Sequence, residues 1–238
     1  MGPLPQLALR RLSFPRPIAA VCPTLRCVAE LARASKVRLT FLDGQELYVS
    51  CPAAPRRLDF SPNGRYLVLD RERAFDLDRE TETPLGGPNS GLAFLSGDRV
   101  ALSSPQGSVE ACRLDSGARV ASFHPEDEEE QVEAGLPIRM AASLERGLLA
   151  CVWRNRVRLY ETDRWTSLEP EPFPSGTSLI GAEFSPDGSF LMLQTAEQAM
   201  ARVGNLWVPQ GHPSRLVPLD LASGERAAGF QSARAFAF

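Results

Sequence analysis

The sequence predicts an all-β chain built from repeated four-stranded antiparallel units. Three observations predict it. An apolar-x-Phe strand, a tight Ser-Pro-Asn/Asp-Gly turn and a returning strand recur along the chain. A second strand–turn–strand follows each copy. Prolines and glycines, 20 and 18 among 238 residues, recur too often for long helices. The composition, 43% hydrophobic and 23% charged, is that of a globular protein and excludes wholesale disorder. A formal net charge of −3 argues against a generic nucleic-acid or membrane-surface binder.

Residues 1–17 stand outside the repeat as an N-terminal segment. Their early prolines, the Arg10-Arg11 pair and the lack of a continuous apolar run speak against a secretory signal, and Gln6 speaks against myristoylation at Gly2. The first unit is placed near 18–53. VCPTLRCVAE (21–30) opens it, and KVRLTFLDGQELYVS (36–50) supplies its outer half. CVAELARAS (27–35) has helical character by itself, but its place in the repeat makes it a strand.

The second unit, near 56–89, carries the motif most fully in RRLDFSPNGRYLVL (56–69). Pro62 presets φ for a turn, Asn63 and Gly64 tolerate the positive φ that follows, and the flanking β-formers alternate with period two. The third unit, near 91–123, joins GLAFLSGDRVALSS (91–104) to SVEACRLDSGARVASF (108–123). The fourth, near 138–173, joins IRMAASLERGLLACVW (138–153) to RVRLYETDRWTSL (156–168). The fifth, near 180–230, repeats the motif as GAEFSPDGSFLML (181–193) and ends in RLVPLDLASGERAAGF (215–230). ARAFAF (233–238) reads as the opening strand of a further unit.

Taking Val21, Phe60, Phe94, Ala142, Phe184 and Phe238 as equivalent gives separations of 39, 34, 48, 42 and 54 residues. A period near ~40 with four short strands per unit is the blade spacing of a β-propeller. About five complete blades are expected, plus the first strand of a sixth, in what reads as an incomplete ring. Phe60, Phe94 and Phe184 would stand on inner strands between blades.

The SPNG and SPDG turns behind apolar-x-Phe resemble the blades of WD40-like propellers over roughly residues 18–238. The resemblance implies a propeller architecture and does not specify a function. No Trp-Asp dipeptide closes the third strands, where Phe41-Leu42, Leu159-Tyr160 and Leu219-Asp220 stand instead, and the family's Gly-His pair is missing.

Catalytic constellations are not found. There is no G-x-S-x-G; GGPNSG (86–91) gives Ser90 without the elbow spacing, and His124 and His212 both precede proline in expected loops. Lys36 is the single lysine, so neither a Walker A loop nor a second Schiff-base candidate exists. Asp59 and Glu183, each directly before a repeat Phe, would need to approach to ~5–10 Å to act as a glycosidase pair. Cys22, Cys27, Cys51, Cys112 and Cys151 are odd in number and lack C-x-x-C spacing, which favours reduced, buried thiols, a cytoplasmic location and no structural metal. No cofactor is expected.

The remaining candidates are contacts for a partner. Residues 124–137 hold six acids and no base, with Glu128, Glu129 and Glu130 at their centre; the rest of the chain then has 23 acids against 26 bases. Residues 194–214 lengthen the fifth unit and place Trp207 and His212 in a loop or an extended hairpin. Arg154, Arg156 and Arg158 alternate, which would put three guanidiniums on one solvated strand face. The function expected is a non-catalytic scaffold binding another protein, with no nucleic acid and no membrane, and with self-association if the ring is open. The alternative is a regulatory or substrate-gating propeller of a larger enzyme, for example a peptidase, whose catalytic domain lies outside this chain.

Overall fold

The structure is a computed structural model and describes residues 19–33, 35–124, 138–168, 173, 177–203, 206–211, 215–226 and 230–231. Every regular element among them is a strand, and the strands form five antiparallel sheets in chain order. The first blade contains β1 (Ala19–Cys22), β2 (Cys27–Arg33), β3 (Lys36–Phe41) and β4 (Glu46–Ser50). The second contains β5 (Leu58–Phe60), β6 (Tyr66–Leu69), β7 (Arg73–Asp76) and β8 (Thr81–Pro84). The third contains β9 (Gly91–Phe94), β10 (Arg99–Ser103), β11 (Val109–Arg113) and β12 (Arg119–Phe123). The fourth contains β13 (Arg139–Ser143), β14 (Leu148–Trp153), β15 (Arg156–Glu161) and β16 (Ser167–Leu168). The fifth contains β17 (Thr177–Phe184), β18 (Phe190–Val203), β20 (Arg215–Asp220) and β21 (Phe230–Gln231), with β19 (Leu206–Gly211) paired to the far half of β18. Residues 27–33 are indeed a strand, because β2 is clamped between β1 and β3. The segments 1–17 and 233–238 lie outside the described residues.

Blades pack face to face. Four apolar cores lie between consecutive sheets: Cys22, Leu39 and Val49 against Leu67 and Leu69; Tyr66 and Val68 against Val100 and Leu102; Ala93 and Ala111 against Leu149 and Trp153; Ala150 and Leu159 against Leu191 and Leu193. This is a β-propeller arrangement. The central blades are covered on both sides, so β6, β10 and β14 bury consecutive residues rather than alternate ones. The outer blades alternate. In β18, Leu191 and Leu193 are fully buried while Phe190 is 40% exposed.

The apolar residue near the end of each inner strand shows the same difference. Phe60, Phe94, Ala142 and Phe184 each pack into the core shared with the preceding blade. Val21 holds the same position in the first blade and is 67% exposed. No described blade precedes it, and no described core joins the first sheet to the fifth. The ring is therefore open among the described residues.

Candidate functional site

The two faces of this ring are built differently, because each kind of connection recurs on one face. Turns joining first to second strands, and third to fourth, share one face. Turns joining second to third strands share the other with the crossovers between blades.

The first face is tightly packed. In the SPNG turn, Ser61 Oγ donates to Asn63 Oδ1 at 2.7 Å and accepts from the Tyr66 amide at 2.9 Å. In the SPDG turn, Ser185 and Ser189 donate to Asp187 at 2.6 and 2.7 Å, which holds its carboxyl down at about 2. The glycines, not Asn63 or Asp187, take the positive φ. They also mark a close approach. A Cβ on Gly64 would lie 2.7 Å from Leu25 Cγ of the first blade, and one on Gly188 would lie 2.6 Å from Ser143 Oγ of the fourth. Each motif turn thus docks on the same turn of the blade before it.

The second face carries the length variation. The third blade's last strand ends at Phe123 and the fourth blade's first begins at Arg139 on that face, and β18 runs past its sheet to form a two-stranded arm with β19. Trp207 stands in that arm, opposite Arg202 in register, so of the loop or extended hairpin expected here the structure has the hairpin. Arg154 lies in the β14–β15 turn of the same face, at φ 50° and exposed. His212, Glu128, Glu129 and Glu130 lie outside the described residues.

The row of three guanidiniums does not form. Arg154 sits in the turn rather than on the strand, Arg156 is half-buried at the start of β15, and Arg158 is 9% exposed with its guanidinium 5.8 Å from the Trp153 ring centre. Alternation correctly put Arg156 and Arg158 on one side of β15. A central blade has neighbours on both sides, so that side is covered rather than solvated.

The other candidates are tied up structurally. Ser90 donates to the carbonyls of Ser103 or Ser104, at 3.1 and 3.2 Å. Asp59 accepts from Arg57 Nε at 2.9 Å. The five thiols are free and buried; burial, together with Cys22, pushes Cys27 up to about 11, and burial also raises Cys51, Cys112 and Cys151. Such thiols are poor nucleophiles at neutral pH. No group of three His, Cys, Asp or Glu side chains suited to a metal occurs among the described residues. No helix among them is long and apolar enough to cross a membrane.

A cluster that no sequence motif marks lies on the second face, where the inner strands begin. Arg71, in the β6–β7 turn, donates through Nη1 to the Ser90 carbonyl of the third blade. Its backbone is fixed: Asn89 Nδ2 donates to the Arg71 carbonyl at 2.7 Å, and Asp70 Oδ1 accepts the amides of Arg56 and Arg57 at 2.6 and 3.0 Å. Asp70 and Arg71 are consecutive left-handed residues, at φ 54° and 61°. The sequence signal for such a bend is weak, since LDRER has no glycine.

No family model matches the chain, and no curated protein matches it. Among solved structures it is similar to Kuenenia stuttgartiensis hydrazine synthase, at 13% identity and a TM-score of 0.63, over 94% of this chain and 69% of that one. That structure contains a β-propeller, and at this identity the likeness is one of fold.

Proposed function

We propose that the chain is a non-catalytic, WD40-like scaffold that binds another protein through the face carrying the β18–β19 arm and the 124–137 connection. The arm is the observation that carries this reading. A two-stranded ribbon has too little surface to bury its own apolar residues and is marginal alone in water. Met200, Val203, Leu206, Trp207 and Val208 are nevertheless concentrated in and around it. An aromatic anchor in the arm, and an acidic run in the sequence between the third and fourth blades, are residue types that a protein interface uses for its apolar centre and its charged rim. The opposite face offers short turns locked on one another and little room for variation.

The test replaces 198–211 by a Gly-Ser turn and, separately, deletes 125–136, and compares the proteins captured from the source extract. Loss of a captured protein with either deletion, with thermal unfolding shifted by no more than a few degrees, is the expected result. An unchanged set of captured proteins with both deletions would refute the assignment of this face.

A further inference from the structure

We propose that Cys22 and Cys27 form a modification site: a dithiol that hydrogen peroxide oxidises to a disulfide, locking the β1–β2 hairpin.

The register of the first blade sets the pairing. Cys22 ends β1, Cys27 opens β2, and the two are directly opposite partners across the turn 23–26. Directly opposite residues of an antiparallel pair share a face and hold their Cα atoms ~4.5–5.5 Å apart. That lies within the ~4.4–6.8 Å that a disulfide spans. Both side chains enter the core between the first and second blades, at 1% and 2% exposure, and the Cys27 thiol donates a hydrogen bond to Cys22.

The other three cysteines stand apart. Cys51 shares this core but lies beyond the opposite end of β3. Cys27 pairs with Phe41 at one end of that strand, whereas Cys51 follows Ser50, the partner of Lys36 at the other. At ~3.3 Å per residue this separates them by roughly 15 Å along the strand. Cys112 and Cys151 belong to different cores.

The hairpin that carries the dithiol is also what docks the first blade on the SPNG turn of the second. Thr24 Oγ1 donates to the Pro62 carbonyl at 2.9 Å, the Leu25 amide donates to Cys22 Sγ at 3.5 Å, and a Cβ on Gly64 would lie 2.9 Å from that sulfur. The first blade has one described interblade core, and Pro23 to Arg26 are exposed, so local opening at this end admits a peroxide without unfolding the central blades. One sulfur attacks the peroxide, the O–O bond breaks, and a sulfenic acid and one water result. The second sulfur then attacks the first, the S–S bond forms, and the oxygen leaves as a second water. Both thiol protons end in water, and two electrons pass from sulfur to peroxide. A small dithiol reverses the step by exchange.

This inference goes beyond the scaffold reading and does not rest on it, since no partner enters its test. The whole chain, folded and fully reduced, is treated with hydrogen peroxide, its remaining thiols are blocked with N-ethylmaleimide after denaturation, and it is cut with trypsin. Arg26 stands between the two cysteines, so cleavage there leaves them on separate peptides that only a disulfide joins. Mass spectrometry should find Cys22 linked to Cys27, with Cys51, Cys112 and Cys151 blocked. Oxidation should slow amide exchange in β1 and β2 by roughly tenfold and leave β10 and β14 unchanged. Cys27→Ala should abolish both the link and the slowing while leaving the circular dichroism spectrum unchanged. Recovery of Cys22 and Cys27 unlinked, a link from either to another cysteine, or exchange in β1 and β2 unaltered by oxidation overturns the proposal.

Discussion

Asp76 shows how much a single polar side chain contributes to a blade. It is 3% exposed at the end of β7, pairs with Arg65 at 2.7 Å, and accepts the amides of Asp78 and Arg79 at 3.0 and 3.2 Å. Arg65 keeps one edge in water, so it can rehydrate when its partner is lost. Asp76→Ala should therefore cost about 2–3 kcal/mol in urea unfolding, rather than the larger penalty of stranding a buried cation. Asp76→Asn keeps an acceptor for the two amides and should cost roughly half as much. The same bonds set an acid limit. The hydrogen bond from Arg65 holds the Asp76 carboxyl below its usual value, Arg113 holds Asp115 at about 2, and Ser185 and Ser189 hold Asp187 at about 2. Carboxylates with depressed folded values stabilise the fold above their unfolded pKa, and that contribution disappears as pH falls through the folded ones. The melting temperature should thus fall between about pH 4 and pH 2, with these three groups contributing nothing to its pH dependence above about pH 5. A melting temperature unchanged down to pH 2 would contradict the assignment. At Gly188, φ is 66° and a Cβ would strike the fourth blade, whereas at Gly44, with φ 86°, it would meet open space. Gly188→Ala should cost about 1–2 kcal/mol more than Gly44→Ala in the same assay.

Among elements, burial on one side or on both decides the response to substitution. Leu149, in β14, is fully buried in the core between the third and fourth blades. Leu149→Ala should cost about 2–5 kcal/mol, because a central sheet has little freedom to collapse into the cavity. Leu42, in the β3–β4 turn, is 79% exposed, and Leu42→Ala should be close to neutral by chemical denaturation. The motif strands were legible in the sequence because alternation and turn chemistry act locally. Arg158 was not. The period gives its side of β15, but only the neighbouring sheet turns that side into an interior. Arg71 was hidden for a related reason: its left-handed backbone is held by Asn89 and by the adjoining Asp70 contacts, not by a residue type that announces a turn.

At the scale of the molecule, an arc of blades is stabilised by nearest-neighbour interfaces. The second, third and fourth blades have two such interfaces, and the first and fifth have one among the described residues. Amide hydrogen exchange should therefore be slowest in β6, β10 and β14 and markedly faster in β3 and β20. Equal protection across all five blades would mean that the outer faces are covered in solution. Those outer faces carry Val21, Val28 and Tyr48 at one end and Ile180 and Phe190 at the other, all at least 40% exposed.

The sequence by itself determined the motif strands, their turns and the number of complete blades, since each follows from neighbours along the chain. Tertiary structure alone decided that Val21 faces solvent while its equivalents pack into the core, that Arg158 is interior, and that Arg71 reaches across to the Ser90 carbonyl of the next blade. Those outcomes depend on which blade stands next to which, and a residue's own strand does not encode what packs against it.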